Sequence, residues 1–260
     1  MAWGARKRKP ESATMNSLRR MLDVLDLFKP QQPVITVEAI CAQLGYTAAS
    51  AYRYVRELSE VGLLVRMPGG YALGPRVIAL DRQMTEYDPL LVGSRDLAED
   101  LVAQTALDVL VSELYGDTVI NIFQKPGTDA QPLSFGRGQP MALFRSATAR
   151  VILANLLPRQ LRRLYDAHEG TPDLLRLGAN WKAFARSMLQ IRKQGYCISS
   201  GEHDPDKTGI AAPIFDEKQR ILGSISLVGS SARFAAFTEE FLIGLIVDAA
   251  QRITGRIGGG

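Results

Sequence analysis

Cysteine is scarce: Cys41 and Cys197 are the only two in 260 residues. They lie far apart and in apolar company, which excludes a disulfide framework and reads as two packed thiols in a reducing compartment. Histidine is equally rare. His168 and His203 are the whole supply, and neither accompanies a Gly-x-Ser-x-Gly elbow or a second base, so nucleophilic hydrolysis has no visible apparatus and the chain is not expected to be an enzyme. Cys197, Glu202, His203, Asp204 and Asp206 lack regular ligand spacing and read as a polar surface loop; neither a metal nor a cofactor is expected. Gly136-Arg137-Gly138 runs into Pro140 where a phosphate loop needs a helix start. No run of about 18 uncharged apolar residues exists, because Phe241 to Val247 stops at Asp248, so no membrane helix is expected. Arg6, Lys7, Arg8 and Lys9 lead into Pro10, Glu11, Ser12 and Thr14 instead of an apolar segment, which excludes a secretory signal and leaves the cytoplasm.

What is present is ordinary globular chemistry: 46% hydrophobic, 7% aromatic and 22% charged residues, enough chain for one or two domains. The net charge of +4 is unevenly spread. Residues 1–76 hold 11 Lys and Arg against 6 Asp and Glu, a net +5, while the remainder holds 20 against 21. A small basic module joined to a larger neutral one fits a polyanion binder attached to something else, although residues 6–9 alone read most simply as a solvated tail.

Within residues 17–76 the spacing predicts three helices and a hairpin. Leu18, Met21, Leu22, Leu25 and Phe28 form one amphipathic face that Lys29-Pro30 ends. Thr36 is placed to cap a short second helix with Val37, Ile40, Cys41 and Leu44 inside and Glu38 in its first turn, and Gly45 breaks it. Thr47 caps a third helix to about Val61, followed by Gly62. Its inner side carries Ala51, Tyr54, Val55 and Leu58; its outer side carries Ala49, Arg53, Arg56 and Glu60, flanked by Ser50 and Tyr52. Small residues followed by arginines let a helix enter a major groove closely. Leu63 to Met67 and Tyr71 to Leu73, joined by Pro68-Gly69-Gly70, read as two strands and a turn, the wing of a winged helix-turn-helix.

Two stretches carry a family resemblance. Gly45-Tyr46-Thr47-Ala48-Ala49-Ser50-Ala51-Tyr52-Arg53, with the exit Gly70-Tyr71-Ala72-Leu73-Gly74-Pro75-Arg76, resembles the DNA-binding domain of the IclR family of bacterial transcriptional regulators. Arg192 to Cys197, Gly209 to Asp216 and Gly223 to Gly229 are similar, in order and spacing, to that family's ligand-sensing domain. The family usually has Pro where Thr47 stands and a bulkier polar residue at Ala48. The resemblance implies DNA contacts from Thr36, Thr47, Ala48, Ala49, Ser50, Tyr52, Arg53, Arg56 and, on the wing, Arg66. It implies a double-stranded pseudo-palindromic operator and a homodimer or tetramer.

The second half reads as a separate α/β domain, giving an α+β chain divided into a basic tail (1–14), a winged helix (15–76), a linker helix (77–88) and an effector-binding and oligomerisation domain (89–257). Asp88-Pro89 opens a helix to about Gln104, and strands are expected at Leu107 to Leu114 and Thr118 to Lys125 around a Tyr115-Gly116-Asp117 turn. Helices follow at Ala147 to Leu157, Pro158 to Ala167 and Trp181 to Gln194, then strands at Tyr196 to Ser199, Gly209 to Phe215 and Ile221 to Val228, and a last helix from Thr238. A sheet of six short strands, one more than the five placed here, with helices on one side would fit the GAF-like antiparallel domain that the resemblance implies.

In that family the domain holds a small organic acid. The stretch Gly136 to Ala149 resembles the pocket loop and helix start, making Met141, Leu143, Arg145, Ser146, Ala147 and Thr148 candidates, with Arg145 as the counter-ion or, equally, an arginine paired with a surface acid. The matching strand positions are Ser199, Gly209, Ser226 and Val228. Val228 in place of a serine found in some relatives, and Gly209 without a side chain, imply a roomier, more apolar pocket suited to an aromatic or larger carboxylate. The competing reading is a GAF-like binding or catalytic protein whose winged helix makes protein contacts alone.

Overall fold

The computed structural model describes residues 17–128 and 136–259; the basic tail expected over 1–14 lies outside the described residues. The chain divides into two compact units, residues 1–87 and 88–260.

The first unit holds α1 (Ser17–Leu22), α2 (Val37–Leu44), α3 (Ala48–Glu60), β1 (Leu64–Met67), β2 (Gly70–Leu73) and α4 (Pro75–Tyr87). The first helix departs from the single run expected from Leu18 to Phe28: it stops at Leu22 and resumes as a 3-10 turn over Leu25–Leu27. Tyr46 is the cause. Its hydroxyl donates to the Arg20 carbonyl at 3.0 Å, occupying the acceptor that the Val24 N–H would need, and that N–H turns to Met21 instead. The expected apolar face is buried only in part: Met21, Leu25 and Phe28 pack against the core, Leu18 and Leu22 are exposed, and Val24 and Leu27, off that face, are the residues buried with Ile40, Tyr54, Val55 and Leu58. Thr36 and Thr47 cap α2 and α3, accepting from the Ala39 and Ser50 N–H groups at 3.1 and 3.3 Å. A third chain segment joins the hairpin beside β2, because Ile35 and Tyr71 exchange both backbone hydrogen bonds at 2.9 Å. Gly70 makes this possible: a Cβ there would stand 2.5 Å from the Ile35 carbonyl oxygen. Along α4 no residue is buried.

The second unit holds α5 (Pro89–Thr105), β3 (Asp108–Tyr115), β4 (Thr118–Lys125), α6 (Ala147–Ala154), α7 (Pro158–His168), α8 (Pro172–Leu175), α9 (Trp181–Gln194), β5 (Cys197–Ser200), β6 (Lys207–Phe215), β7 (Ile221–Ser230), α10 (Ser231–Phe234) and α11 (Glu239–Gly258). Among the described residues its sheet has five strands, not six, in the order β4-β3-β7-β6-β5, every pair antiparallel. Helices cover both faces, not one. The period of two sends Val109, Val111, Ile210, Ile225 and Leu227 toward α5 and α11, and Leu110, Ala211 and Val228 toward α6. A sheet apolar on both sides needs both covered. α6 is shorter than its apolar pattern, since the Asn155 side-chain amide folds back onto the Val151 carbonyl and ends it. The polar band Ser112, Asn121, Thr148, Ser224 and Ser226 is fully buried beneath α6 and bonded within itself, Thr148 donating to Ser226 at 3.2 Å and Ser224 to the Thr148 carbonyl at 3.1 Å. No described helix is long and apolar enough to cross a membrane.

Candidate functional site

The outer face of α3 follows from its cap and its period. Ala51, Tyr54, Val55 and Leu58 are buried, which turns Thr47, Ala48, Ala49, Tyr52, Arg53 and Arg56 to solvent, with Ser50 half-buried. Thr36 and the wing residue Arg66 are exposed as well. Arg53 is pre-positioned, its guanidinium 5.2 Å from the centre of the Tyr54 ring and donating to the Ser17 hydroxyl at 3.4 Å. Arg56 is held by Glu57 at 3.0 Å and Glu60 at 3.6 Å. These pairs are exposed and weak, so a phosphate or a guanine edge can displace them. Sequence reasoning passed over Arg20, which stacks on Tyr46 at 4.3 Å and helps seat the helix pair.

In the second unit a recess opens where the start of α6 meets the sheet. Seven of the predicted residues line it: Met141, Ser146, Ala147, Thr148, Ser199, Gly209 and Val228. His203, Asp204, Lys207 and Thr208, at and after the turn between β5 and β6, complete the wall; position after a strand was the only sequence signal that could have found them. Ser199, Gly209 and Val228 are cross-strand neighbours in one row, and Asp108 extends it on β3. The Ala147 N–H donates to the Ser199 hydroxyl at 3.1 Å, so a side chain from β5 caps α6 in place of Ser146.

Three predicted residues are placed elsewhere. Arg145 pairs with Asp173 at 3.2 Å and does not line the recess, which selects the surface-pair alternative. Leu143 packs into the apolar clusters beside α6. Ser226 is sealed below, its hydroxyl receiving the Thr148 bond. The roomy pocket is also corrected: the recess has about 20 Å³, space for about one water molecule, because Met141, Val228 and the β5–β6 turn fill what Gly209 leaves.

That turn is fastened from below. Arg150, buried in α6, donates to the Phe144 carbonyl at 2.8 Å and grips both carboxylate oxygens of Glu202, one at 2.8 Å. Burial pushes the neighbouring Cys197 thiol up to about 11 and lowers His203, keeping that imidazole neutral at neutral pH. No group of His, Cys, Asp and Glu that could hold a metal ion is found among the described residues.

Comparison with known proteins agrees with both units. Residues 17–68 match the family model described as IclR helix-turn-helix domain, and residues 89–255 match that of the Bacterial transcriptional regulator IclR C-terminal domain. The chain is 24% identical over 248 residues to the HTH-type transcriptional regulator BhcR of Paracoccus denitrificans, covering 94% of this chain and 88% of that one. It is 24% identical over 232 residues to the Pca operon regulatory protein of Acinetobacter baylyi, covering 88% and 82%. Its fold is similar to that of an IclR homolog from Microbacterium hydrocarbonoxydans solved with 4-hydroxybenzoate, at TM-score 0.78 and 19% identity over 94% of this chain and 100% of the other.

Proposed function

The chain belongs to the IclR family of bacterial transcriptional regulators, and from that premise we propose how this member works. It is a ligand-responsive regulator that binds DNA. The observation that carries the reading is the presence, in one chain, of a solvent-facing arginine helix and a recess seated at a helix start.

In this mechanism α3 enters the major groove with Thr47, Ala48 and Ala49 leading. Arg53 and Arg56 reach base edges or phosphates, Tyr52 and Ser50 flank them, Thr36 meets the backbone, and Arg66 adds a wing contact. The protein acts in the cytoplasm by binding alone, without a catalytic step. Two copies place two α3 helices on pseudo-palindromic half-sites about 34 Å apart, as a homodimer or a tetramer of two such pairs.

The effector is an organic acid, aromatic rather than two- or three-carbon. Apolar Met141, Ala147 and Val228 support that class, as does the relative solved with 4-hydroxybenzoate. A recess of about 20 Å³ must open to admit it, and the β5–β6 turn is the wall free of regular structure. The effector then shifts the balance between DNA-competent and incompetent arrangements by its differential affinity for them.

The test is a gel shift with DNA upstream of the protein's own gene and its divergent neighbour, at two salt concentrations with excess competitor. The expected result is a competitor-resistant band that Arg53→Ala abolishes and 4-hydroxybenzoate alters. Binding that is indifferent to sequence and lost with salt would count against this mechanism.

A further inference from the structure

We propose that Lys207, and not Arg145, is the residue that selects a carboxylate effector, an inference that rests on the effector class proposed above. The arginines around the start of α6 face other acids and do not line the recess: Arg145 lies 3.2 Å from Asp173 without a hydrogen bond from its Nε, and Arg150 is bonded to Glu202 and the Phe144 carbonyl. The first amide of α6, the group a carboxylate would otherwise meet, is already bonded to Ser199. His203 faces the recess, but its burial disfavours the imidazolium, so it offers a hydrogen bond and no charge.

Lys207 remains. It opens β6 two residues before Gly209, hence on the same face of the sheet, and its half-buried side chain lines the recess. Among the described residues it forms no ion pair. It interacts electrostatically with Asp108, on the same row as Val228 and Gly209. That carboxyl is 3% exposed and already receives the Gly127 N–H. Burial raises its pKa, and the charge of Lys207 works against that shift. Asp204 stands on the rim as the competing acid, partly open to water. A lysine on the wall of the recess, without an ion-pair partner among the described residues, is placed to reward an anion over its neutral isostere.

The test measures binding of benzoate, 4-hydroxybenzoate and their two amides to the full chain by calorimetry. Wild-type protein is expected to prefer each acid. Lys207→Met should weaken the acids by about ten- to hundredfold while leaving the amides unchanged, Lys207→Arg should restore the preference, and Arg145→Met should keep it. Asp108→Asn should tighten the acids, since it releases Lys207 without losing the acceptor for Gly127. An acid-to-amide ratio unchanged in Lys207→Met, or lost in Arg145→Met, overturns the assignment. Wild-type protein that binds neither acid overturns the effector class together with it.

Discussion

Arg150 and Glu202, 52 residues apart in the chain, close a two-pronged ion pair that ties α6 to the turn between β5 and β6. The arginine side chain is 7% exposed and the glutamate 28%, so the pair lies at the boundary between core and recess. Removing one partner leaves a charge without its match in a poor solvent. Glu202→Gln should therefore cost about 1–3 kcal/mol, scaled down from a fully buried pair for the glutamate's exposure. It should also loosen the turn above Cys197. The checks are urea unfolding and, in a Cys41→Ser background, reaction of the remaining thiol with a disulfide reagent: stability should fall and the thiol should react faster. A variant with unchanged stability and thiol rate would show that the pair fastens nothing.

Both α3 and its cap were legible in the sequence because a local period, a capping threonine and a glycine stop all state the same answer. The early stop of α1 was not, since it depends on Tyr46 bonding to Arg20 from 26 residues away. Seven of ten effector candidates reached the recess because strand alternation and a helix start fix which way residues face. Arg145 failed for the opposite reason: a long side chain just before a helix can turn either way, and Asp173, on a four-residue helix that the sequence did not reveal, decided it. Arg150 gave no sign of its role, because an arginine inside an apolar helix is explained only by the glutamate that meets it.

Arg56 is restrained by Glu57 and Glu60, and this sets a second expectation. If Arg56 contacts the operator, those pairs oppose binding, and Glu60→Gln should tighten the complex by a few-fold. The effect of Glu60→Gln in an Arg56→Ala background separates freed arginine from simple relief of repulsion between carboxylate and phosphate. Fluorescence anisotropy on an operator fragment measures all four proteins. Equal gains with and without Arg56 would show that Glu60 acts by repelling phosphate and not by restraining the arginine.

Acid sensitivity follows from Asp96, whose carboxylate receives two guanidinium hydrogen bonds from Arg256 at 2.6 and 2.7 Å, joining α5 to α11. These hold its pKa near 2, below the ordinary aspartate value. A depressed carboxyl contributes stability above its unfolded pKa of about 3.9, and that contribution disappears as pH falls through the folded value of about 2. Asp96→Asn should therefore lower stability at pH 5, and the gap from wild type should close between about pH 4 and 2. The pair is exposed, so the gap is small and is best read as a difference in urea midpoints. A gap that stays constant with pH would assign it to packing.

Gly209 gives the sharpest probe of effector size. A Cβ placed there meets Val228 at 3.6 Å and the Ser199 hydroxyl at 3.8 Å, ordinary contacts that need no backbone shift, whereas one at Gly223 would stand 2.2 Å from the Ser112 carbonyl oxygen. Gly209→Ala should consequently fold with an unchanged thermal midpoint. Its methyl group nonetheless enters the recess on the row that Val228 and Ser199 share. Binding of 4-hydroxybenzoate should weaken and that of a two-carbon acid should not, with Gly209→Val enlarging the difference. Calorimetry on both ligands decides it: equal losses would mean a general distortion, and no loss would put the ring elsewhere.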